Sequence, residues 1–281
     1  MLLYAATIFL SAFLLFEVQP IIAKMILPWF GGSAAVWTTA LMFFQITLLA
    51  GYVYAYVTTR YLEPRGQAVL HVSLLAVSLL LLPIVPSAAW RTASDGDPTL
   101  RIVLLLTAAV GLPYFMLSTT GPLLQAWYAA SRPASAPYRL YAVSNAGSML
   151  ALISFPLAVE PFLRGSVQAN IWSAAYAAFV IAASAIAVGA SKHAQAPTLD
   201  TLDEPPSRTT QIYWIALPAC ASALLLAITN HLSQNVAPIP FLWVLTLAIY
   251  LATFILCFES DRSYRRPLFI PLLAIALAGM S

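Results

Sequence analysis

Long apolar runs, separated by short clusters of charge, proline or glycine, constrain this sequence more than any other feature. About 20 apolar residues let an α-helix cross a hydrocarbon layer of about 30 Å, since each residue adds about 1.5 Å. Only 8% of the 281 residues are charged, against about 25% in a typical globular protein. The runs lack the period-two alternation of membrane β-barrel strands. The sequence therefore predicts an integral membrane protein built of helices, with the lipid bilayer as its main partner.

Dividing the chain at these clusters predicts an all-α fold, a polytopic transmembrane helical bundle of nine segments. The last segment is short, because only 15 residues run from Pro267 to Ser281. We therefore expect the natural chain to continue beyond Ser281. The predicted segments cover approximately residues 3–27, 34–58, 68–85, 100–129, 140–159, 169–190, 212–229, 241–258 and 268 onward.

One polar connector, from Ser191 to Thr210, divides the predicted segments into two groups. We predict a first six-helix transmembrane half over residues 1–190, a cytoplasmic linker over 191–210, and the start of a second half over 211–281. The second half would hold three segments, the last of them incomplete. Six helices, a linker and a second helical set are the layout of two-half transporter folds.

The distribution of Lys and Arg predicts a cytoplasmic N-terminus, because cytoplasmic loops carry the excess of these residues. Four basic residues lie on the opposite side: Lys24, Arg91, Arg101 and Arg164. Nine lie in the loops on the same side as the N-terminus: Arg60, Arg65, Arg132, Arg139, Lys192, Arg208, Arg262, Arg265 and Arg266.

Strongly polar residues lie at one level of the first, fourth and seventh segments. A charged group in hydrocarbon costs on the order of 3 kcal/mol, so such residues normally face a bundle interior or a wet cavity. Glu17 is the one acidic residue well inside a segment. A purely structural interpretation stays open, because polar side chains also bridge neighbouring helices. The candidate substrate-binding residues are Glu17, Gln19, Gln125, Asn230, His231 and Gln234.

Two prolines interrupt the first and fourth segments at comparable points, and we predict helix breaks at Pro20 and Pro122. Neither proline nitrogen can bond to the carbonyl four residues earlier, which leaves that oxygen free for water, a side chain or a cation. Matching breaks mark a candidate site in transporters and are typical of a three-plus-three repeat.

Other residues receive structural interpretations. Lys24 lies two turns from Glu17, too far for an ion pair within the helix, and is expected to reach the headgroups. His71 is expected near the membrane interface, and the tryptophans are expected to form a belt at the segment ends. Gly147 and its neighbours Asn145 and Ser148 predict a close helix contact through small residues.

Several functions lack any sequence support. No basic stripe follows a nucleic-acid backbone, so nucleic acid is not an expected partner. The cysteines, Cys220 and Cys257, lie in apolar runs without metal or disulfide spacing, and no histidine has a partner at metal spacing. No phosphate-binding glycine pattern occurs. We therefore expect no metal site and no cofactor.

Four stretches of the sequence carry a resemblance to one family. They contain LSAFLLFEVQPIIAKMILPWFGGSAAVW and FFQITLLAGYVYAY, then LPYFMLSTTGPLLQAW, then YRLYAVSNAGSMLALISFPLAVEP, and finally TNHLSQNVAPIPFLWVLTLAIYLATFILCF. Together they resemble the membrane portion of the bacterial fused MFS/spermidine synthase proteins, and the resemblance covers most of the 281 residues. It implies a major-facilitator-like fold in the bacterial cytoplasmic (inner) membrane, followed by a cytosolic aminopropyltransferase domain.

The resemblance leaves two functions open. One is a transporter-like module that moves a cationic amine by alternating access, with Glu17 holding the cation or exchanging a proton. The other is a membrane anchor or assembly subunit that does not transport and serves the aminopropyltransferase domain or a larger membrane complex. The implied enzyme domain would lie beyond Ser281, so no residue of this chain is assigned a catalytic role.

Overall fold

A computed structural model of the chain describes residues 1–30, 34–87, 90, 98–131, 138–193, 206–235, 240–259 and 265–280. Across these residues the structure is helical and contains no β-strand. The helices are α1 (Leu2–Ile26), α2 (Ala34–Tyr61), α3 (Pro64–Ser78), α4 (Pro98–Leu106), α5 (Leu112–Ser131), α6 (Tyr138–Ser154), α7 (Glu160–Phe162), α8 (Gly165–His193), α9 (Arg208–Asn235), α10 (Pro240–Glu259) and α11 (Arg266–Met280).

Seven helical stretches of the described chain are long and apolar enough to cross a membrane. Two further apolar helices, Val244–Phe258 and Arg266–Ala276, are shorter. The prediction of a helical membrane protein is confirmed, whereas nine crossings and a major-facilitator-like arrangement stay predictions. The seven stretches are Leu2–Trp29, Val36–Tyr61, Pro64–Leu81, Pro98–Ser131, Arg139–Phe162, Gly165–Lys192 and Arg208–Thr229.

Neither Pro20 nor Pro122 ends its helix, because α1 and α5 continue through both residues. The predicted breaks are therefore corrected: each proline removes one backbone hydrogen bond, but its helix continues. Packing against neighbouring helices can hold such a helix in place. Two irregular turns of the described chain are π-helical, Thr107–Gly111 between α4 and α5 and Phe155–Val159 between α6 and α7. Prolines explain both, since Pro156 lies inside the second turn and Pro113 closely follows the first.

Helix α1 lies at the centre of the packing and contacts α5, α6 and α8. Around it, α2 packs against α5 and α3 packs against α8. Helix α10 packs against α6, and α9 packs against α10. Gly147 of α6 lies against Phe9 and Ser154 of α6 against Glu17, so α1 and α6 run parallel, as expected for helices separated by an odd number of intervening crossings.

Two hydrophobic clusters fill the bundle, one toward each end. Ile8 of α1 and Leu123 of α5 belong to the cluster at the end where α1 begins, while Leu14 and Leu117 belong to the other. Small and hydroxyl-bearing residues separate the clusters on both helices. Ser11, for example, donates through Oγ to the Leu117 carbonyl oxygen at 3.1 Å. The core therefore contains a layer where helices approach closely and polar groups are tolerated.

The division into two halves and a linker stays a prediction. Helix α8 ends at His193 and α9 begins at Arg208, while residues 194–205 lie outside the described part of the chain. None of the side chains described in α9 is buried. In a membrane this helix therefore meets lipid or other protein around most of its circumference.

Candidate functional site

The Glu17 carboxyl lies inside the bundle, at the contact between α1 and α6 that we call the α1–α6 seam. Glu17 is only 3% exposed. Its Oε1 accepts a hydrogen bond from Ser154 Oγ at 3.1 Å. Its Oε2 is buried and has no hydrogen-bond partner among the described residues. One carboxylate oxygen is thus left available to a proton, a water or a cation.

Ser154 is well suited to serve a carboxyl in either protonation state. Its Oγ lies 3.1 Å from Glu17 Oε1 and 3.2 Å from the Ala151 carbonyl oxygen. A hydroxyl has one proton to donate and lone pairs to accept with. When Glu17 is charged, Ser154 can donate to it. When Glu17 is protonated, Ser154 can donate to Ala151 and accept from the carboxyl.

Gln19 faces a different helix from Glu17. Its Nε2 donates to the Leu15 carbonyl oxygen at 3.2 Å and to Tyr114 Oη at 3.3 Å, so it contacts α5. Two residues along an α-helix correspond to a rotation of about 200°, which places the two side chains on nearly opposite faces of α1. The structure therefore does not bring Gln19 to the Glu17 carboxyl.

The polar side chains around Pro122 are buried in α5. Ser118 Oγ donates to the Tyr114 carbonyl oxygen at 2.8 Å, and the Thr119 and Thr120 hydroxyls donate to the Met116 carbonyl oxygen at 2.7 and 3.1 Å. These hydroxyls are satisfied within their own helix, which is a structural role.

Gln125 lies farther along α5, on the other side of Pro122. It is buried, with 6% of its surface exposed. Eleven residues separate it from Tyr114, the partner of Gln19, which corresponds to roughly 16 Å of helix. Gln125 is therefore far from the contact between Gln19 and Tyr114, and no described contact joins it to Glu17.

The three candidates of the seventh segment lie on α9, whose main helix contact is with α10. His231 is exposed. The side chains of Asn230 and Gln234 lie outside the described part of the structure. The described contacts do not join these residues to the α1–α6 seam, so their role in binding stays a prediction.

Lys24 forms an ion pair with Glu160, at the end of the bundle where α1 finishes. The pair joins α1 to α7, directly after the π-turn Phe155–Val159. The two side chains are 50% and 37% exposed. The expectation that Lys24 makes no ion pair with Glu17 holds, and its partner is an acid on another helix.

His71 is fully buried, so its predicted place at the membrane interface is wrong. Its Nδ1 lies 3.4 Å from Tyr54 Oη, and its ring meets the Trp127 ring edge-on with centroids 5.6 Å apart. Trp127 Nε1 in turn donates to Gln67 Oε1 at 2.7 Å. These contacts hold α2, α3 and α5 together. The sequence could have indicated this cluster, because Gln67 and His71 are four residues apart and so share one face of α3.

The predicted aromatic belt is also wrong for two tryptophans, Trp127 and Trp172, which are buried. Trp172 Nε1 donates to the Leu14 carbonyl oxygen at 2.8 Å, and its ring stacks on Tyr176 at 5.2 Å. The hydrogen bond fixes α8 against α1 one turn before Glu17, while the stacking lies within α8. The sequence alone does not separate the two locations, because a tryptophan whose indole N–H finds a partner can lie in the interior of a helical bundle as well as at the membrane interface.

A groove of about 600 Å³ opens at the same end of the bundle as the ion pair. Its walls are mainly apolar and include Met25, Trp29, Val85 and Gly165. Among the described residues, no group of three His, Cys, Asp or Glu side chains lies together at a metal-binding distance. Glu17 is the one acidic residue among the buried side chains of the described chain.

Comparisons with known proteins give no relative for this chain: no family model, no curated protein and no solved structure matches it.

Proposed function

We propose that the chain is a transporter-like membrane module in which Glu17 binds a cationic substrate or exchanges a proton. The observation that carries the proposal is the buried carboxyl itself, 3% exposed and with one oxygen unpartnered among the described residues. A charged group at this depth is costly, and in membrane proteins it typically belongs to an ion path or proton relay. A bundle that needed only packing would place an apolar residue here.

The Ser154 hydroxyl supports a change of charge at Glu17. Because Ser154 has a second acceptor, the Ala151 carbonyl oxygen at 3.2 Å, its proton can move between two partners without a new rotamer of Glu17. Both the charged and the neutral carboxyl then keep a hydrogen bond. A site that loads and releases a cation needs two such states.

The π-turn that follows Ser154 supports movement at the site. π-turns are rare and occur frequently at functional positions, because their backbone hydrogen bonds are irregular. The turn lies between the partner of Glu17 and the partner of Lys24. In alternating access, such a turn would let the two ends of the α6–α7 stretch shift relative to each other.

The resemblance to the membrane portion of fused MFS/spermidine synthase proteins supports a small cationic amine as the substrate. It also supports a place in the bacterial inner membrane with the N-terminus in the cytoplasm, where a following aminopropyltransferase domain would lie. The excess of Lys and Arg on the N-terminal side supports the same orientation. These assignments belong to the proposal.

Uptake by proteoliposomes tests the proposal. The protein would be reconstituted and supplied with labelled putrescine or spermidine, comparing wild type, Glu17→Gln and Glu63→Gln. Glu63 is a matched control because it is an exposed acid immediately before α3. We expect uptake by wild type and by Glu63→Gln, and at least a tenfold loss in Glu17→Gln. Equal uptake in all three would overturn the role of Glu17.

A second function, a membrane anchor or assembly subunit, is favoured by one observation. The α1–α6 seam is tightly packed, since a Cβ added to Gly147 would lie only 2.5 Å from the Phe9 carbonyl oxygen. A rigid seam of this kind is also what a non-transporting bundle would need. No uptake by a folded wild type, together with unchanged activity of an attached aminopropyltransferase in Glu17→Gln, would select this function.

A further inference from the structure

We propose that the ion pair of Lys24 and Glu160 is the gate on the route by which a cation or proton reaches Glu17 from the end of the bundle where α1 finishes. The inference rests on the proposed role of Glu17. It adds the direction of access and the pair of charges that controls it.

Lys24 and Glu17 lie on the same stripe of α1. Seven residues correspond to almost two full turns, so the side chains point within about 20° of each other and are separated by about 10 Å along the axis. Both meet partners on the same neighbouring stretch, Ser154 for Glu17 and Glu160 for Lys24. A cation that follows the α1–α6 seam inward from this end therefore passes the ion pair before it reaches the carboxyl.

The stretch between the two partners is an irregular turn of the backbone. The five residues between Ser154 and Glu160 form the π-turn Phe155–Val159. On the far side of the pair, Gln168 Nε2 donates to the Leu163 carbonyl oxygen at 2.8 Å and fixes the start of α8 to the end of α7. Gln168 Nε2 also lies 3.5 Å from the Val159 carbonyl oxygen, so a movement of Glu160 away from Lys24 would carry the end of the π-turn and the start of α8 with it and be taken up earlier in the turn.

The pair has the chemistry of a gate that a cation can open. Both side chains are partly exposed, and a partly exposed ion pair is weak enough to break and re-form. The second carboxylate oxygen of Glu160, Oε2, is buried and has no partner among the described residues. Without Lys24, the Glu160 carboxylate would need another cation, and an ammonium ion arriving from solution can supply that charge.

The test measures how fast a water-soluble carbodiimide with an added amine nucleophile modifies Glu17 in the full chain in lipid nanodiscs, read by mass spectrometry of the Glu17 peptide. A hydrophobic reagent is avoided because it could reach Glu17 through the lipid without passing the ion pair. Labelling of Glu160 is resolved on a separate peptide. The variants are Lys24→Gln, which opens the pair, Lys24→Arg, which keeps it, and the double variant Lys24→Glu with Glu160→Lys, which reverses it. Arg164→Gln is the control, because it removes an exposed positive charge at the same end without touching the pair.

We expect Lys24→Gln to raise the labelling rate of Glu17 by about two- to fivefold, the population change that a partly exposed pair can impose. Lys24→Arg, the charge reversal and Arg164→Gln should keep the wild-type rate. An unchanged rate in Lys24→Gln would overturn the gate and leave Lys24 and Glu160 as an ordinary surface pair.

A second set of variants covers the case in which opening the pair disturbs folding. Lys24→Cys with Glu160→Cys, made with Cys220→Ser and Cys257→Ser, allows the gate to be closed by oxidation and reopened by a reductant. Slower labelling of Glu17 after oxidation, recovered on reduction, would support the gate, and labelling that ignores the crosslink would contradict it. The two proposals can fail separately. If wild type and all variants take up no amine, but the labelling of Glu17 still responds to Lys24→Gln and to the crosslink, only the transport proposal is contradicted.

Discussion

Ser154 donates a hydrogen bond to Glu17 across the seam between α1 and α6, at 3.1 Å. Two turns farther along α1, Lys24 pairs with Glu160 at the start of α7. Ser154 follows Glu17 by 137 residues and Glu160 follows Lys24 by 136 residues. The two stretches of chain therefore keep nearly the same parallel register over two turns of α1. The candidate site is therefore built where α1 meets the stretch from α6 to α7, and a movement of α1 would change both polar links.

Tight packing at Gly147 gives a first prediction. A Cβ there would lie 2.5 Å from the Phe9 carbonyl oxygen, whereas a Cβ at Gly189 of α8 would meet no atom within 4 Å. Both substitutions by alanine gain the same helix propensity, up to about 1 kcal/mol. We expect Gly189→Ala to be neutral or stabilising and Gly147→Ala to lower the free energy of unfolding by about 1 to 3 kcal/mol.

Unfolding by sodium dodecyl sulfate in mixed micelles, followed by circular dichroism, would measure both glycine variants. A Gly147→Ala protein as stable as Gly189→Ala would show that α1 and α6 are farther apart than described.

The Trp172 indole gives a second prediction. Its Nε1 donates to the Leu14 carbonyl oxygen at 2.8 Å in a buried place. Trp172→Phe keeps an aromatic ring against Tyr176 but removes this donor, and we expect a loss of about 1 to 2 kcal/mol in unfolding free energy. Trp214→Phe is the control, because Trp214 is 64% exposed, and its effect should stay within about 0.5 kcal/mol. Equal losses in the two variants would refute the buried hydrogen bond.

The hydrogen bond between Ser78 and Tyr176 gives a third prediction. Their hydroxyl oxygens lie 2.7 Å apart and both residues are fully buried. A double-mutant cycle of Ser78→Ala, Tyr176→Phe and the double variant isolates the contact between α3 and α8. We expect a coupling energy of about 0.5 to 1.5 kcal/mol. Effects of the two single substitutions that simply add would argue against a direct contact.

Ser154 gives a fourth prediction, on function. Ser154→Ala removes the one described donor to Glu17, whereas Ser154→Thr keeps a hydroxyl in the same place. If Glu17 must be charged during each cycle, Ser154→Ala should lower the uptake rate of a labelled amine by roughly tenfold to 150-fold, the equivalent of one hydrogen bond to a charged group. Uptake by Ser154→Thr should stay closer to wild type. Equal uptake by both variants would remove Ser154 from the mechanism.

The positions of the long helices were predictable, because hydropathy and helix length depend on local sequence alone. The close contact at Gly147 was predictable for a similar reason, since small residues in an apolar helix favour near approach. The burial of Glu17 followed from the cost of exposing a carboxyl to lipid. Each of these inferences needs only one segment and the properties of its solvent.

The partners of these residues were not predictable from one sequence. Ser154 and Glu160 lie 137 and 136 residues from the side chains they meet, and which helices become neighbours depends on the packing of the whole bundle. The same limit explains His71, whose polar ring alone indicated an interface. The separation of Gln19 from Glu17 could have been foreseen, since two residues along a helix face opposite ways.

Substrate protection of Glu17 tests the central claim most directly. Wild-type protein in nanodiscs would be treated with a hydrophobic carbodiimide with and without putrescine, and modification of the Glu17 and Glu63 peptides would be followed over time. The account predicts that Glu17 is modified and that putrescine slows its modification in a saturable way, while Glu63 is unaffected. Modification of Glu17 at one rate regardless of putrescine, in a preparation that takes up the amine, would contradict it.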